Sequence, residues 1–453
     1  MAVFPGDGVV LGTLYGSEAM RAIFDERAWL QRMLDVEAAL ARVQARLGLI
    51  PEAAARAIGN AARVENIDLA ALAASTRIVG YPVVGLVAEL ARAAGPEAGR
   101  WTHWGATTQD ILDTAVSLQV KAGLALIRHD LLTLAAALAR QAERHRATPM
   151  AGRTHLQHAL PITFGLKCAI WLNPLLGHLE RLEQLRPRVE LAEFGGAAGT
   201  LASLGGAGIA VMEGLAQELA LGTPRAPWHV CREGLAETVG FLGLLCGSLG
   251  KFATDIILLA QTEVAEVAEP HQPGRGGSST MPQKRNPISA EYILAATRGV
   301  QALVPVMQGA MLADQERATG PWQAEPLAVP QAFVLAHGAV LHARAIAQGM
   351  VVDAARMRRN LDLTGGLIVA ESVMMGLAPS LGREAAHHAV RAACDAALAA
   401  GLPLAETLAR NTAITARLDR AALEKLTDPA RYLGSAEAFI SRVLDAAKSW
   451  LSP

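Results

Sequence analysis

The sequence predicts an all-α protein, a long-helix bundle flanked by two smaller helical domains. Three observations carry this. Long stretches repeat apolar residues three and four positions apart, the period of a helix with one buried face. Alanine and leucine dominate a composition that is 52% hydrophobic and only 4% aromatic. Both residues favour helix, and small side chains let helices approach closely. Period-two alternation, the mark of a half-buried strand, is scarce.

Up to residue 110 the helical runs are short and are broken by Pro51, Pro82 and Pro96. Residues 110–147 form the clearest long segment, with Ile111, Ala115, Leu118, Leu124, Ile127, Leu131 and Leu134 along one face and no proline before Pro149. Residues 161–193 are a second, interrupted by Pro174 and Pro187. A third, 234–269, ends at Pro270, and a fourth, 288–313, contains Pro305 as an expected kink. Such lengths exceed those of ordinary globular helices and suit a bundle. From about residue 352 the pattern shortens again, with turns expected near Gly365–Gly366 and Pro379. The expected domains are therefore 1–110, 111–351 and 352–453.

With 41 basic and 42 acidic residues the net charge is −1, and no long run of one sign occurs. A nucleic-acid binder would show a basic face. Cys168, Cys231, Cys246 and Cys394 are widely spaced and form no C-x-x-C pair, so neither a zinc site nor a disulfide framework is expected. The N-terminus shows no basic segment followed by an apolar run, and a cytoplasmic location follows as the expectation. Residues 194–212 are uncharged but hold six glycines, which makes them a packing segment or loop rather than a membrane span. They contain no G-x-G-x-x-G for a dinucleotide, and no H-E-x-x-H metal motif occurs. His387 and His388 fit an exposed helix face.

The segment richest in chemistry is 270–287, PHQPGRGGSSTMPQKRNP, with four prolines and three glycines between two long helices. Glycine allows mobility and close backbone approach, and proline restricts the alternatives. A long polar loop in such a setting serves as a functional lid or as a solvated linker. Ser278, Ser279, Lys284 and Arg285 supply hydroxyls and cations, which are the parts needed to deprotonate a carbon acid beside a carboxylate.

Residues 277–287, GSSTMPQKRNP, resemble the GSSxMPxKxNP signature of the fumarase/aspartase superfamily. Two further segments resemble its other motifs in the expected order. The first is 103–110, HWGATTQD, at the mouth of a long helix, where free N–H groups favour a carboxylate. Its Thr107, Thr108 and Asp110 also suit plain helix capping. The second is 152–161, GRTHLQHALP, whose His155 occupies the motif position while His158 reads as structural. The resemblance implies Ser278 as general base, with Lys284 and backbone donors stabilising its alkoxide, and His155 as a proton-transfer partner. It implies substrate contacts from His103, Thr107, Thr108, Gln109, Arg153, Thr154, Gln157, Ser279, Met281 and Asn286. It also implies a homotetramer whose active sites are shared between subunits.

Outside the motifs, Met20-Arg21-Ala22-Ile23-Phe24, Phe194-Gly195-Gly196, Pro227-Trp228-His229 and the run 352–364 resemble the bacterial 3-carboxy-cis,cis-muconate cycloisomerases. That resemblance implies cofactor-free, metal-free lactonisation of a tricarboxylate in protocatechuate degradation, the β-ketoadipate pathway. Arg21 and Arg317 join the candidate anion-binding groups, and Trp322 suits a flat conjugated substrate. Surface ion pairs are the other reading of Arg21 and Arg317. His155 matches the eliminating lyases, so a C–N lyase releasing fumarate from a succinyl-amine stands as the alternative, and a catalytically inactive relative as a third.

Overall fold

The computed structural model describes residues 4–451. The chain is 71% helical, with twenty α-helices and four short strands among the described residues, as the sequence predicts. Packing divides it into two compact units: Met1–Asp130, His178–Gly250 and Tyr292–Leu341 form the first, and Leu131–Gly177, Lys251–Glu291 and His342–Pro453 the second. The first draws on the first two stretches of sequence distinguished above and the second on the last two. Several long helices lend a segment to each unit.

In the first unit, α1 (Glu26–Arg46) begins where the Asp25 carboxylate accepts the Ala28 N–H at 2.7 Å, and it ends before Gly48, whose φ is +72°. Its buried face of Leu30, Met33, Leu34, Leu40 and Val43 packs with Glu52–Ala61 and Gly208–Glu218 in one apolar cluster. Burying each such side chain stabilises the fold by about 1.5–3 kcal/mol. The expected breakers are helix starters here: Pro51 is an N-cap residue, and Pro82 and Pro96 occupy first turns. A first-turn proline loses no hydrogen bond, because that N–H has no partner within the helix.

The long helices follow in order: α2 (Thr108–Arg144), α3 (Phe164–Val189), α4 (Glu233–Ala260), α5 (Ile288–Ala310) and α6 (Glu325–Gly349). Pro174 and Pro187 do not interrupt α3. Each costs a backbone hydrogen bond, and the buried row of Leu172, Leu175, Leu179 and Leu182 outweighs that loss. The third predicted helix is shorter than expected, because α4 stops at Ala260 and the chain turns into a strand.

Between α2 and α3, in the second unit, lies a hairpin that periodicity did not reveal. Strand β1 (Pro149–Thr154) pairs antiparallel with β2 (Gln157–Thr163), with Met150 opposite Ile162 and Thr154 opposite Gln157. Neither strand buries alternate residues along its length, so the period-two signal is absent. A second small pairing joins β3 (Val267–Ala268) to β4 (Val351–Val352), just before α7 (Ala354–Leu361). The turn at Gly365–Gly366 is present, both glycines having positive φ. Pro379 lies instead inside Ala370–Leu381, and the chain turns at Gly382, φ +80°, where no side chain opposes the left-handed conformation.

The uncharged glycine-rich stretch is a loop followed by Gly208–Glu218. Thr108–Arg144, Glu233–Ala260 and Trp322–Gly349 are long and apolar enough to cross a membrane by length and composition. Half or more of each apolar window is buried within the chain. The first also carries Asp110, Asp113 and Asp130 among its buried residues.

Candidate active site

The three motifs are held by three different devices. The first belongs to the first unit, and the second and the loop belong to the second.

In the first motif His103 has a positive φ of 57° and donates through Nδ1 to the buried Glu37 at 2.6 Å. Burial opposes its charge, but attraction and the hydrogen bond from Glu37 win, so the imidazole is held above its ordinary pKa. Thr107 opens towards Arg317, whose Nη1 donates to Thr107 Oγ1 at 3.3 Å while Nη2 donates to the Ala197 carbonyl at 3.1 Å. A hydroxyl, a guanidinium and the start of α2 thus converge at Thr107 and Thr108, an arrangement suited to an anion.

Three other predicted contacts in this unit are committed elsewhere. Gln109 is buried, and its Nε2 donates to Asp113 at 3.0 Å and to the His229 carbonyl at 2.8 Å. Arg21 donates to the Gly12 carbonyl at 2.9 Å and ties down the N-terminal segment. Trp322 is buried and stacks on Tyr81 with centroids 5.5 Å apart.

Beyond Asp110 as a helix-capping residue, sequence reasoning gave no role to the network beneath this motif. Asp110 Oδ1 accepts from Gly195 N at 2.8 Å and His229 Nε2 at 2.7 Å; Oδ2 accepts from Thr107 N at 2.8 Å and Gly196 N at 3.1 Å. This one carboxylate fixes Thr107 and the glycine-rich loop together. Glu193 lies alongside, accepting the Trp228 N–H, with its other oxygen 3.4 Å from His229 Nε2. Asp110, Glu193 and His229 bring three ligand-type atoms within 4.8 Å. Asp110 already accepts four N–H groups, so the cluster is built around donors rather than around a cation. The signals in sequence were an acid three residues after Thr107, an acid two residues before Gly195 and a histidine beside Trp228.

Burial, then the nearby Asp113, pushes the Glu193 carboxyl up to about 9. Its folded pKa thus exceeds its unfolded value, so the native state binds the extra proton and stability falls as pH rises between the two. Glu193→Gln keeps an acceptor for Trp228 and removes that titration. We expect its urea midpoint to exceed wild type above pH 8 and to converge near pH 4; a larger gap at acid pH than at alkaline pH would refute this.

The second motif caps the β1–β2 hairpin. His155 and Leu156 are its two central turn residues, with φ of 50° and 62°. Paired positive φ marks a type I′ turn, which normally takes Asn-Gly. A non-glycine residue held there costs about 1–3 kcal/mol and signals a site where geometry is imposed. Gly152 is required lower down, since a Cβ there would sit 2.7 Å from the Leu160 carbonyl. Thr154, His155 and Gln157 are exposed in the single chain. Arg153 is not free for a substrate. It makes a two-pronged pair with Glu266 at 2.9 and 2.7 Å, and Asn360 on α7 donates to the same buried carboxylate at 2.8 Å. Arg153 therefore anchors the hairpin that presents His155.

The loop closes on itself at its base. Asn286 N donates to the Gly276 carbonyl at 2.9 Å, and Gly277 bridges Arg285. Gly276 has φ +67°, and a Cβ there would lie 2.6 Å from the Asn286 carbonyl oxygen. Glu269 accepts from the N–H groups of Ser289 and Ala290 and so caps α5, where the loop ends. Within the loop, Met281 N and Thr280 N point at Ser278 Oγ from 3.1 and 3.3 Å. Two amide dipoles aimed at one hydroxyl oxygen favour its anionic form. Ser279, Met281 and Lys284 face solvent, and Asn286 is half-buried.

The second unit thus carries a serine whose oxygen two amides face and a presented imidazole, and the first carries an anion-accepting helix start. Residues 15–302 match the lyase family, and residues 366–443 match the C-terminal region of adenylosuccinate lyase. The chain belongs to the lyase family and is an enzyme of the fumarase/aspartase superfamily. It is 48% identical to the 3-carboxy-cis,cis-muconate cycloisomerase of Pseudomonas aeruginosa, over 94% of this chain and 93% of that one. It is 44% identical to the nitrosuccinate lyase of Streptomyces davaonensis, over 97% and 94%. The solved 3-carboxy-cis,cis-muconate lactonizing enzyme of Pseudomonas putida superposes with a TM-score of 0.95 at 45% identity, covering 98% of this chain and 100% of that one.

Proposed function

We propose that this enzyme lactonises 3-carboxy-cis,cis-muconate to a carboxymuconolactone, without metal or nucleotide, within protocatechuate degradation. The likeness to the cycloisomerases over nearly the whole chain, outside the motifs as well as in them, carries this reading. In the reaction one substrate carboxylate oxygen bonds to an alkene carbon. The neighbouring carbon, next to another carboxylate, becomes an aci-carboxylate and then takes a proton. Ser278 handles that proton: its hydroxyl donates it in the adding direction and regains one from solvent, and its alkoxide removes it in the eliminating direction. The amides of Thr280 and Met281, with Lys284, offset the charge on its oxygen. Thr107, Thr108 and Arg317 hold a substrate carboxylate.

A second reading, a lyase releasing fumarate from a succinyl-amine, is favoured by His155 at the hairpin tip. One ultraviolet assay separates the two. Loss of diene absorbance on 3-carboxy-cis,cis-muconate supports the cycloisomerase, whereas no loss there with fumarate formed from adenylosuccinate or argininosuccinate supports the lyase. His155→Asn is expected to lower turnover by about 10²–10⁴, the usual contribution of a positioned acid or base. An unchanged rate and pH profile would remove His155 from the chemistry.

We further propose a cytoplasmic homotetramer that shares its active sites between subunits, with neither nucleic acid nor membrane as partner. Four free cysteines suit a reducing compartment. On α4, Gly240, Leu244 and Lys251 leave a stripe open in the single chain, and Val306, Met311 and Leu312 are exposed on and just beyond α5. Such faces suit packing against further copies. Light scattering returning a fully active monomer would refute the assembly.

A further inference from the structure

The first unit contains a cavity of about 450 Å³ that the reaction above does not use. Its walls carry four aromatic side chains, Phe24, Trp29, Tyr81 and Trp322. Leu112, Val116, Val329 and three prolines complete the apolar lining. Its charged residues are all acidic: Glu26, Asp113 and Glu325, with no lysine, arginine or histidine among those that line it.

The acids divide by depth. Asp113 and Glu325 are buried and share one partner, Arg232, which lies outside the lining. Its guanidinium donates to Asp113 at 2.7 and 3.0 Å and to Glu325 at 2.8 and 2.5 Å. Two carboxylates thus face one guanidinium at the floor; burial above all, and Asp113 to a lesser degree, push the Glu325 carboxyl upward. Glu26 is exposed, and its side chain makes no hydrogen bond or ion pair among the described residues.

We propose that this cavity is a binding site for a small organic cation, an ammonium or amidinium head on a flat apolar body. Aromatic faces attract such a cation through their quadrupole, and the acidic floor and Glu26 complement its charge. The same lining repels a polycarboxylate, so the site is separate from the one that takes the muconate and does not depend on the reaction assigned above. It also gives Trp322 a different ligand from the one its sequence context suggested.

Three probes of one shape and different charge test this at pH 7 on the intact enzyme: benzylammonium, benzyl alcohol and benzoate, measured by calorimetry. The expected order is saturable benzylammonium binding at least tenfold tighter than benzyl alcohol, with no benzoate binding. Trp29→Leu should weaken benzylammonium roughly two- to thirtyfold, the range of a cation–π contact. Glu26→Gln, an exposed change that the fold tolerates, should weaken it roughly two- to fivefold and leave benzyl alcohol unaltered. Equal affinity for cation and alcohol, no saturable cation binding, or full affinity in both variants overturns the proposal. Displacement of benzylammonium by 3-carboxy-cis,cis-muconate would also overturn it, by placing the polyanion in this cavity.

Discussion

Ser278→Ala is expected to lower turnover by about 10³–10⁴-fold while urea unfolding stays within about 0.5 kcal/mol of wild type. The two parts rest on different observations. The hydroxyl is the atom on which the Thr280 and Met281 amides converge, at 3.3 and 3.1 Å, so its removal leaves the loop with donors and no oxygen to stabilise. The base of the loop is closed elsewhere, by Gly276 with Asn286 and by Glu269 on the first turn of α5, and neither contact involves Ser278. Substrate affinity should change little, because the loss falls on proton transfer. A variant within tenfold of wild type would remove Ser278 as the base, and a large fall in stability would show that the hydroxyl is structural.

The second large effect is on stability. Arg232→Met should destabilise the protein by about 3–5 kcal/mol, the cost of breaking a buried ion pair from one side. The Arg232 side chain is 1% exposed, and those of Asp113 and Glu325 are 2% and 6% exposed. Without the guanidinium, two adjacent and largely buried carboxylates lose their counter-ion. Its ring contact is lost as well, since the guanidinium carbon lies 4.8 Å from the Trp228 ring centroid. Burial and the flanking acids would drive at least one carboxyl to hold a proton, so part of the loss should return at acid pH. The combined change Arg232→Met, Asp113→Asn, Glu325→Gln should recover much of it at neutral pH. Urea midpoints measure each step, and a single variant within 1 kcal/mol of wild type would show that the network contributes little.

The all-helical class and the positions of the long helices were legible because amphipathic period survives in a chain rich in alanine and leucine. The hairpin between α2 and α3 was not, because its strands bury residues in an irregular order. The signature loop could be recognised from its letters, but its internal geometry could not. That Asn286 and Gly276 close its base depends on backbone groups common to every residue. The cations were the least legible part. Arg21, Arg153 and Arg317 look alike in sequence, yet one holds a backbone segment, one a buried glutamate, and one faces a motif hydroxyl. Partner choice depends on which acids and carbonyls the fold brings near, and for Arg153 and Arg317 these lie far away along the chain. The pair Arg153 and Glu266, for example, is separated by 113 positions.

The hairpin has one more consequence. Its stiffness comes from below the tip, from Gly152 and from the Arg153 anchor to Glu266 and Asn360, while the side chains of Thr154, His155 and Gln157 carry none of those contacts. The scaffold therefore behaves as a fixed socket with an interchangeable head. Exchanging the residue at position 155 puts a proton carrier, an amide or an aromatic ring at one place in space, with little cost to the fold. A lineage built on such a socket can pass from one reaction to another through single substitutions, each intermediate remaining a folded protein on which selection can act.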